Sequence, residues 1–423
     1  MKKLKTSSIA MMVRNRSLSV GQAKGRRSLI RCDCSSLEVT MPKGTNSKDG
    51  ERCPEDVLNA PLKVRLKYFK KAIVSHDIFD DVMEKIETAI ECGLPGTMLV
   101  LVGPAGVGKS SVGDVLHRNV SEDFFKFHPE DKHTIPSVLL EAWAGEDGRF
   151  DFKDFYEQIL EALQAPLISN TLPEVKKIIC GREFFLPDIT QRRAPTVSAY
   201  RSRLRRSIRE RKPFVLFFDE ASAIIASSKP DRVRSKSNTL RSMVNNSNTT
   251  MILSGAYDLY DLVLQTGQLA RRGDVIHMPA YLPSQKRGFA EVLYALQDIM
   301  PVKGGCNLEP FAEDLAEQSL RTTGILKKIL TNAIVLSDKK KRPIDAEILS
   351  ESYYKPAQLE KLELEMFDGY LKVEGLQHPN DTRDLGAEPG EEGADGPKDT
   401  APKRNRRVGR TTPSRGVTRH GHA

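Results

Sequence analysis

The eight residues Gly103-Pro104-Ala105-Gly106-Val107-Gly108-Lys109-Ser110 fill the pattern G-x-x-x-x-G-K-S/T without a gap, and no other feature constrains the chain as much. The apolar run Thr97-Met98-Leu99-Val100-Leu101-Val102 precedes them, and Ser111-Val112-Gly113-Asp114-Val115-Leu116 follows with helical spacing. Strand, loop and helix in that order are the context in which such a loop cradles phosphate. Its glycines turn backbone N–H groups inward at the positive end of the helix, Lys109 reaches the β- and γ-phosphates, and the Ser110 hydroxyl ligates Mg²⁺, with Ser111 beside it in the binding set. A Gly-rich strand-to-helix turn with a chance Lys-Ser would look the same, so the motif needs support from elsewhere in the chain.

Two more apolar runs end in residues suited to the same chemistry. Pro213-Phe214-Val215-Leu216-Phe217-Phe218 leads into Asp219-Glu220. That is the form of a Walker B strand, in which Asp219 holds Mg²⁺ through its water shell and Glu220 polarises an attacking water. Thr249-Thr250-Met251-Ile252-Leu253-Ser254-Gly255 is the other run. Open α/β sheets bind ligands at the C-terminal ends of their strands, which places Ser254 to sense a γ-phosphate or orient water. Arg271-Arg272 then precede the strand-like Val275-Ile276-His277-Met278. The pair reads either as a solvent-facing turn or as an arginine finger for the γ-phosphate of a neighbouring subunit.

The spacing of apolar residues predicts the rest. Ile78, Val82, Ile86 and Ile90 stripe an amphipathic helix ahead of the first strand. His76 and Phe79 at its start either flank an adenine or simply pack. Ile135 to Trp143 gives a further strand, and Phe152, Phe155, Ile159 and Leu163 a further helix. This β-α-β-α rhythm is that of a parallel sheet with helices on both faces. Residues 166–195, broken by Pro166, Pro173, Pro187 and Pro195, read as an insertion. Val197, Tyr200, Leu204 and Ile208 stripe a helix whose arginines, Arg201 to Arg209, spread over its other faces as a solvated surface. Lys229, Arg232, Arg234 and Lys236 follow the acidic strand end in a Ser-rich, loop-like stretch. They are candidates for contacts to the phosphate backbone of DNA, or else an exposed basic loop with no ligand.

From Pro283 helical patterns cover about 284–300, 308–321, 324–337, 343–353 and 356–368, a small all-α lid behind the sheet. Lys327 stands near the start of one of these helices, against the helix dipole, as a cation facing phosphate would. The expected organisation is a basic N-terminal arm over 1–55, a nucleotide-binding α/β domain over 56–282, the lid over 283–372 and an acidic-then-basic tail over 373–423, with both ends expected to be disordered. No apolar run approaches a membrane span, and the six scattered cysteines form no C-x-x-C pair, which points to a reducing cytoplasm. The first arm, rich in Arg, Lys and Ser, also has the make-up of an organelle transit peptide. A net charge of +9 favours an anionic partner.

Together the phosphate loop, the Phe-Phe-Asp-Glu strand, the Ser-Gly strand end, the arginine pair and the helical lid resemble the AAA+ ATPases. Val215 to Ala221, Ile252 to Ala256 and above all Gln268-Leu269-Ala270-Arg271-Arg272-Gly273-Asp274-Val275-Ile276-His277 resemble the transposition regulators of the TniB, TnsC and MuB type. The likeness spans about 61 to 340. It implies an ATP- and Mg²⁺-dependent protein that forms rings or filaments on double-stranded DNA and recruits or activates a transposase, alongside a target-selection protein, in the bacterial cytoplasm. Lys109 and Ser110 would bind phosphate and Mg²⁺, Asp219 and Glu220 would be Walker B, Ser254 sensor 1, Arg271 or Arg272 the finger and Lys327 sensor 2. Lys109 and Asp219 stand 110 residues apart, a long separation that contains residues 166–195. Two other readings remain open, a replication initiator or helicase loader and a nucleotide-switched adaptor that does not bind DNA.

Overall fold

The computed structural model describes residues 53–92, 96–144, 150–166, 174–179, 182–187, 196–226, 228–245, 247–264 and 275–375. Helices α1 (Glu55–Asn59), α2 (Leu62–Lys71) and α3 (Asp77–Cys92) precede β1 (Met98–Val102). Then come α4 (Lys109–Phe127), β2 (Ser137–Glu141), α5 (Phe152–Ala162), β3 (Glu174–Ile179), β4 (Arg182–Pro187) and α6 (Val197–Arg211). β5 (Val215–Asp219), α7 (Ser222–Ile225), α8 (Pro230–Val244) and β6 (Thr250–Gly255) follow, and a 3-10 turn over Tyr257–Tyr260 runs into α9 (Asp261–Leu264). β7 (Val275–His277) is succeeded by α10 (Lys286–Asp298), a 3-10 turn over Glu309–Phe311, α11 (Ala312–Gln318), α12 (Thr323–Lys340), α13 (Ala346–Ser352) and α14 (Pro356–Glu374).

One sheet runs β2-β5-β6-β1-β7, and every pairing in it is parallel. The register places Val102 beside both Gly255 and His277, and Glu141 beside Asp219. The phosphate loop, the acidic pair and Ser254 therefore leave the sheet at the same edge. Period-two side-chain alternation feeds two cores. Leu99, Leu101, Phe217 and Ile252 pack with Ile86, Val112 and Leu116 from α3 and α4. Val100, Val102, Phe218 and Leu253 pack with Tyr156, Tyr200 and Leu240 from α5, α6 and α8. Burial on both faces is why these strands are continuous apolar runs. α4 lies so close to β5 that a Cβ on Gly113 would stand 2.7 Å from the Phe217 ring.

A third core gathers the helices after β7, around Phe289, Leu293, Leu326, Leu330 and Leu349. Phe69 of α2 belongs to it, and the buried Arg65 donates to the Pro301 carbonyl at 3.1 Å and pairs with Asp338. Chain order places α2 ahead of the sheet, but it packs against the lid.

Three local expectations change. Within residues 166–195 the chain forms an antiparallel hairpin, with Glu174 opposite Pro187 and Ile179 opposite Arg182, on strands short enough for the flanking prolines to obscure them. The stretch with Lys229 to Lys236 is helical rather than a loop, because Pro230 opens α8 and Val233, Ser237, Leu240 and Val244 form its buried stripe. The last helix runs on to Glu374, past the 368 predicted from periodicity.

Candidate functional site

The phosphate loop owes its shape to its glycines. Gly106 and Gly108 take φ values of 77° and 112°, left-handed conformations in which glycine carries no Cβ penalty, and Gly108 caps α4. Gly103 meets a different constraint, since a Cβ there would lie 2.2 Å from the Met278 carbonyl oxygen. The outcome is a cradle at the N-terminus of a 19-residue helix, a site that favours anions. Pro104 is buried, as is Val107, whereas Ala105 and Ser110 are exposed and Ser111 half-buried. Lys109 folds back over the loop, its Nζ donating to the Gly103 and Pro104 carbonyls at 2.9 and 2.8 Å. Burial lowers its pKa from the ordinary lysine value, while Glu220, Asp219, Glu365 and Asp258 favour the charged form.

The acidic strand end faces this loop. Buried Ser254 donates its Oγ to Asp219 Oδ1 at 2.8 Å, and the Ala221 amide donates to the Ser254 carbonyl at 2.8 Å. Glu220 is exposed, and its φ of 50° puts a branchless but bulky side chain in the left-handed region. Such strain is retained where a side chain must be aimed. Asp114, one turn along α4, has its carboxyl pushed up by burial and by the charge of Asp219.

Residues 95–263 match the family model described as an AAA domain. The matched stretch holds the phosphate loop, Asp219, Glu220 and Ser254. No curated protein matches the chain. Among solved structures, the Aeropyrum pernix ORC2 protein in its ADP form is 11% identical, covers 68% of this chain and 71% of its own, and has a TM-score of 0.46. Cdc6p from Pyrobaculum aerophilum is 14% identical over 68% and 69%, with a TM-score of 0.44. The A. pernix ORC1 protein in complex with DNA is 11% identical over 70% and 67%, with a TM-score of 0.47.

The lid closes on the loop of the AAA domain through α12. Gly324 N–H donates to the Gly106 carbonyl at 2.6 Å, and Thr323 Oγ donates to the Val107 carbonyl at 3.0 Å. Lys327 goes elsewhere, since its ammonium is held by the Lys70 and Ala72 carbonyls beside the Phe69 ring. It staples the lid to α2 instead of turning to the loop. Phe79 is packed in the core, and His76 is drawn to Tyr281, whose hydroxyl lies 3.0 Å from its Nδ1, so packing accounts for both.

Of the four basic candidates on the AAA domain, Lys229, Arg232 and Arg234 are exposed. Lys236 turns inward, donating to the Ile224 carbonyl at 2.6 Å and to Ser228 Oγ at 2.9 Å, so it holds α7 to α8. Arg234 and Arg201 line an open groove of about 450 Å³ with Asn238, Thr239 and Ser242. Arg201 of α6 thus joins Arg234 of α8 on one surface, with the acid Asp231 on the same groove. Arg271 and Arg272 lie outside the described residues.

The donor set suits a nucleotide with Mg²⁺. Mg²⁺ takes oxygen ligands, commonly one or two carboxylates together with substrate phosphates, and Asp219 would supply one carboxylate and Ser110 a hydroxyl oxygen. No group of three or more His, Cys, Asp or Glu side chains able to hold a metal gathers among the described residues. Among the same residues no helix is long and apolar enough to cross a membrane.

Proposed function

We propose that this chain binds and hydrolyses ATP in order to assemble on double-stranded DNA, and that it serves a transposase as a target-site regulator. The convergence of Lys109, Asp219, Glu220 and Ser254 at one sheet edge carries the ATP reading. Lys109 leaves the carbonyls of its own loop to meet the phosphates, and the glycine-turned amides of residues 106–109 hold them. Mg²⁺, held by Ser110 and Asp219, supplies charge neutralisation when bound. Glu220 accepts a proton from the attacking water, and Ser254 fixes the Asp219 carboxylate. Arg271 or Arg272 completes the site of a neighbouring copy, so turnover depends on assembly.

The DNA reading is supported by the exposed cations on α6 and α8 and by the hydroxyl- and amide-lined groove between them, a surface suited to the phosphate backbone and indifferent to sequence. The role in transposition is supported by the Leu269-Ala270-Arg271-Arg272 stretch. Filter binding of duplex DNA at two salt concentrations, with and without a non-hydrolysable ATP analogue, tests the reading. Retention that depends on the analogue and falls steeply with salt is expected. Retention indifferent to nucleotide would sink it.

A further inference from the structure

Helix α14 does more than close the lid. It is 19 residues long, and Leu359, Leu362 and Met366 join the lid core while Val373 reaches the sheet core. Its last turns grip the segment that follows Ser254. Gly369 faces Tyr257 so closely that a Cβ would stand 1.9 Å from the ring. Lys372 Nζ pairs with Asp261 Oδ1 at 2.7 Å, and Glu374 lies 3.5 Å from His277 Nδ1. Further up the helix, Leu362, Glu365 and Met366 meet Pro104, Ala105 and Tyr257 around a crevice of about 10 Å³, room for one water. Pro104 and Ala105 form the first half of the phosphate loop, and Ala256 and Tyr257 directly follow Ser254. α14 therefore stands beside the first half of the phosphate loop and the residues that follow Ser254. Glu365 brings a carboxylate to that side, close enough to influence Lys109.

We propose that α14 is a latch over the γ-phosphate side of the nucleotide site, which ATP displaces and whose vacated seat is the docking face for a second copy of this chain. This rests on the nucleotide reading above. Seated, the helix fills the approach a neighbour needs, and the Glu365 carboxylate repels the additional charge that distinguishes a triphosphate from a diphosphate. ATP bound with the latch open shifts the population toward the form that can pair, so nucleotide and neighbour favour each other. Its hold on the sheet core is slight, since Val373 packs against that core only as a partly buried side chain.

The test measures ATP and ADP binding with fluorescent analogues, and ATP-dependent assembly by sedimentation velocity, in the full chain. Glu365→Gln removes the charge and keeps the shape. It is expected to tighten ATP by about 5-fold and ADP by less than about 2-fold, as the loss of one partly screened repulsion would. Gly369→Leu forces α14 off Tyr257, and Lys372→Ala loosens the same end gently enough to keep the fold. Each is expected to assemble with ATP at a protein concentration lower by about 10-fold, the shift that a latch free energy of about 1.4 kcal/mol would give. Equal changes for ATP and ADP in the Glu365→Gln variant, or folded variants that assemble no more readily than wild type, would overturn the latch alone. Wild type that binds neither nucleotide would overturn the nucleotide reading, and the latch with it.

Discussion

The amide of Gly324 donates to the carbonyl of Gly106 across 2.6 Å, so the first turn of α12 rests on the phosphate loop itself. The approach is possible because residue 324 is glycine, since a Cβ there would lie 2.5 Å from the Gly106 oxygen. Lid position and loop shape are in this way a single mechanical unit, and a change at either partner is felt at both.

Gly324→Ala pushes α12 away from the loop. We expect nucleotide affinity to fall by about 10-fold and the melting temperature to drop by several degrees, the size of a strained close contact of about 1–3 kcal/mol. Titration with a fluorescent nucleotide and a thermal melt on one preparation check both. Unchanged affinity would show that the lid contact is dispensable for binding.

Lys109→Ala removes the ammonium that the Gly103 and Pro104 carbonyls now hold. ATP binding measured by calorimetry should weaken by about 100-fold, in line with losing a charge-assisted contact of about 1.5–3 kcal/mol. Stability should barely change, because relief of the lysine's burial offsets its two lost hydrogen bonds.

Ser254→Ala frees Asp219 Oδ1 from its 2.8 Å partner. The fold should lose only about 1 kcal/mol, since Asp219 is half-exposed and water replaces the hydroxyl. Hydrolysis should fall by about 10- to 100-fold while ATP affinity stays near wild type, as expected for a positioning residue. A rapid-quench assay beside equilibrium binding separates the two.

Glu220 combines a left-handed backbone with the proposed role of base, so its variants should divide stability from turnover. Glu220→Gly should raise stability by about 1 kcal/mol by relieving the positive φ, and should abolish hydrolysis. Glu220→Gln keeps the strain, binds ATP and slows hydrolysis by about 100-fold or more. A Glu220→Gln protein that turns over at the wild-type rate would take the base assignment away.

Glu87 provides a pH test remote from the site. Its carboxyl is pushed from 4.5 to about 7 by burial and by Asp123, Glu91 and Glu84. Between those values the folded state binds more protons than the unfolded one, so Glu87 makes stability fall as pH rises, and the loss is complete above about 7. Glu87→Gln should melt higher than wild type at pH 8 and lose that advantage by pH 4. An advantage that is the same at both pH values would show the group is not perturbed.

Most of the sheet and the nucleotide-binding residues were legible because they are local. A strand buried on both faces is an unbroken apolar run, and a loop that must turn its amides inward needs glycine at fixed offsets, so Met98 to Ser110 and Val215 to Glu220 announce themselves. The α3 stripe and the lid helices followed from period alone. Lys236 and Lys327 show where that reasoning stops. Both carry the charge a phosphate site would use, yet the Ile224 carbonyl claims Lys236 and the Lys70 and Ala72 carbonyls claim Lys327, and only packing reveals those neighbours. The same holds for the α8 stripe, which is interrupted by the buried Ser237.

The sequence by itself therefore determined that a nucleotide-type cradle and an acidic strand end exist in one parallel sheet, since each is a pattern of successive residues. Only the tertiary structure decided that Gly324 sits on Gly106, that α2 is bound into the lid and that α14 covers the far side of the loop. Those contacts join residues hundreds of positions apart through backbone carbonyls and absent side chains, features that leave no periodicity and no motif in the chain.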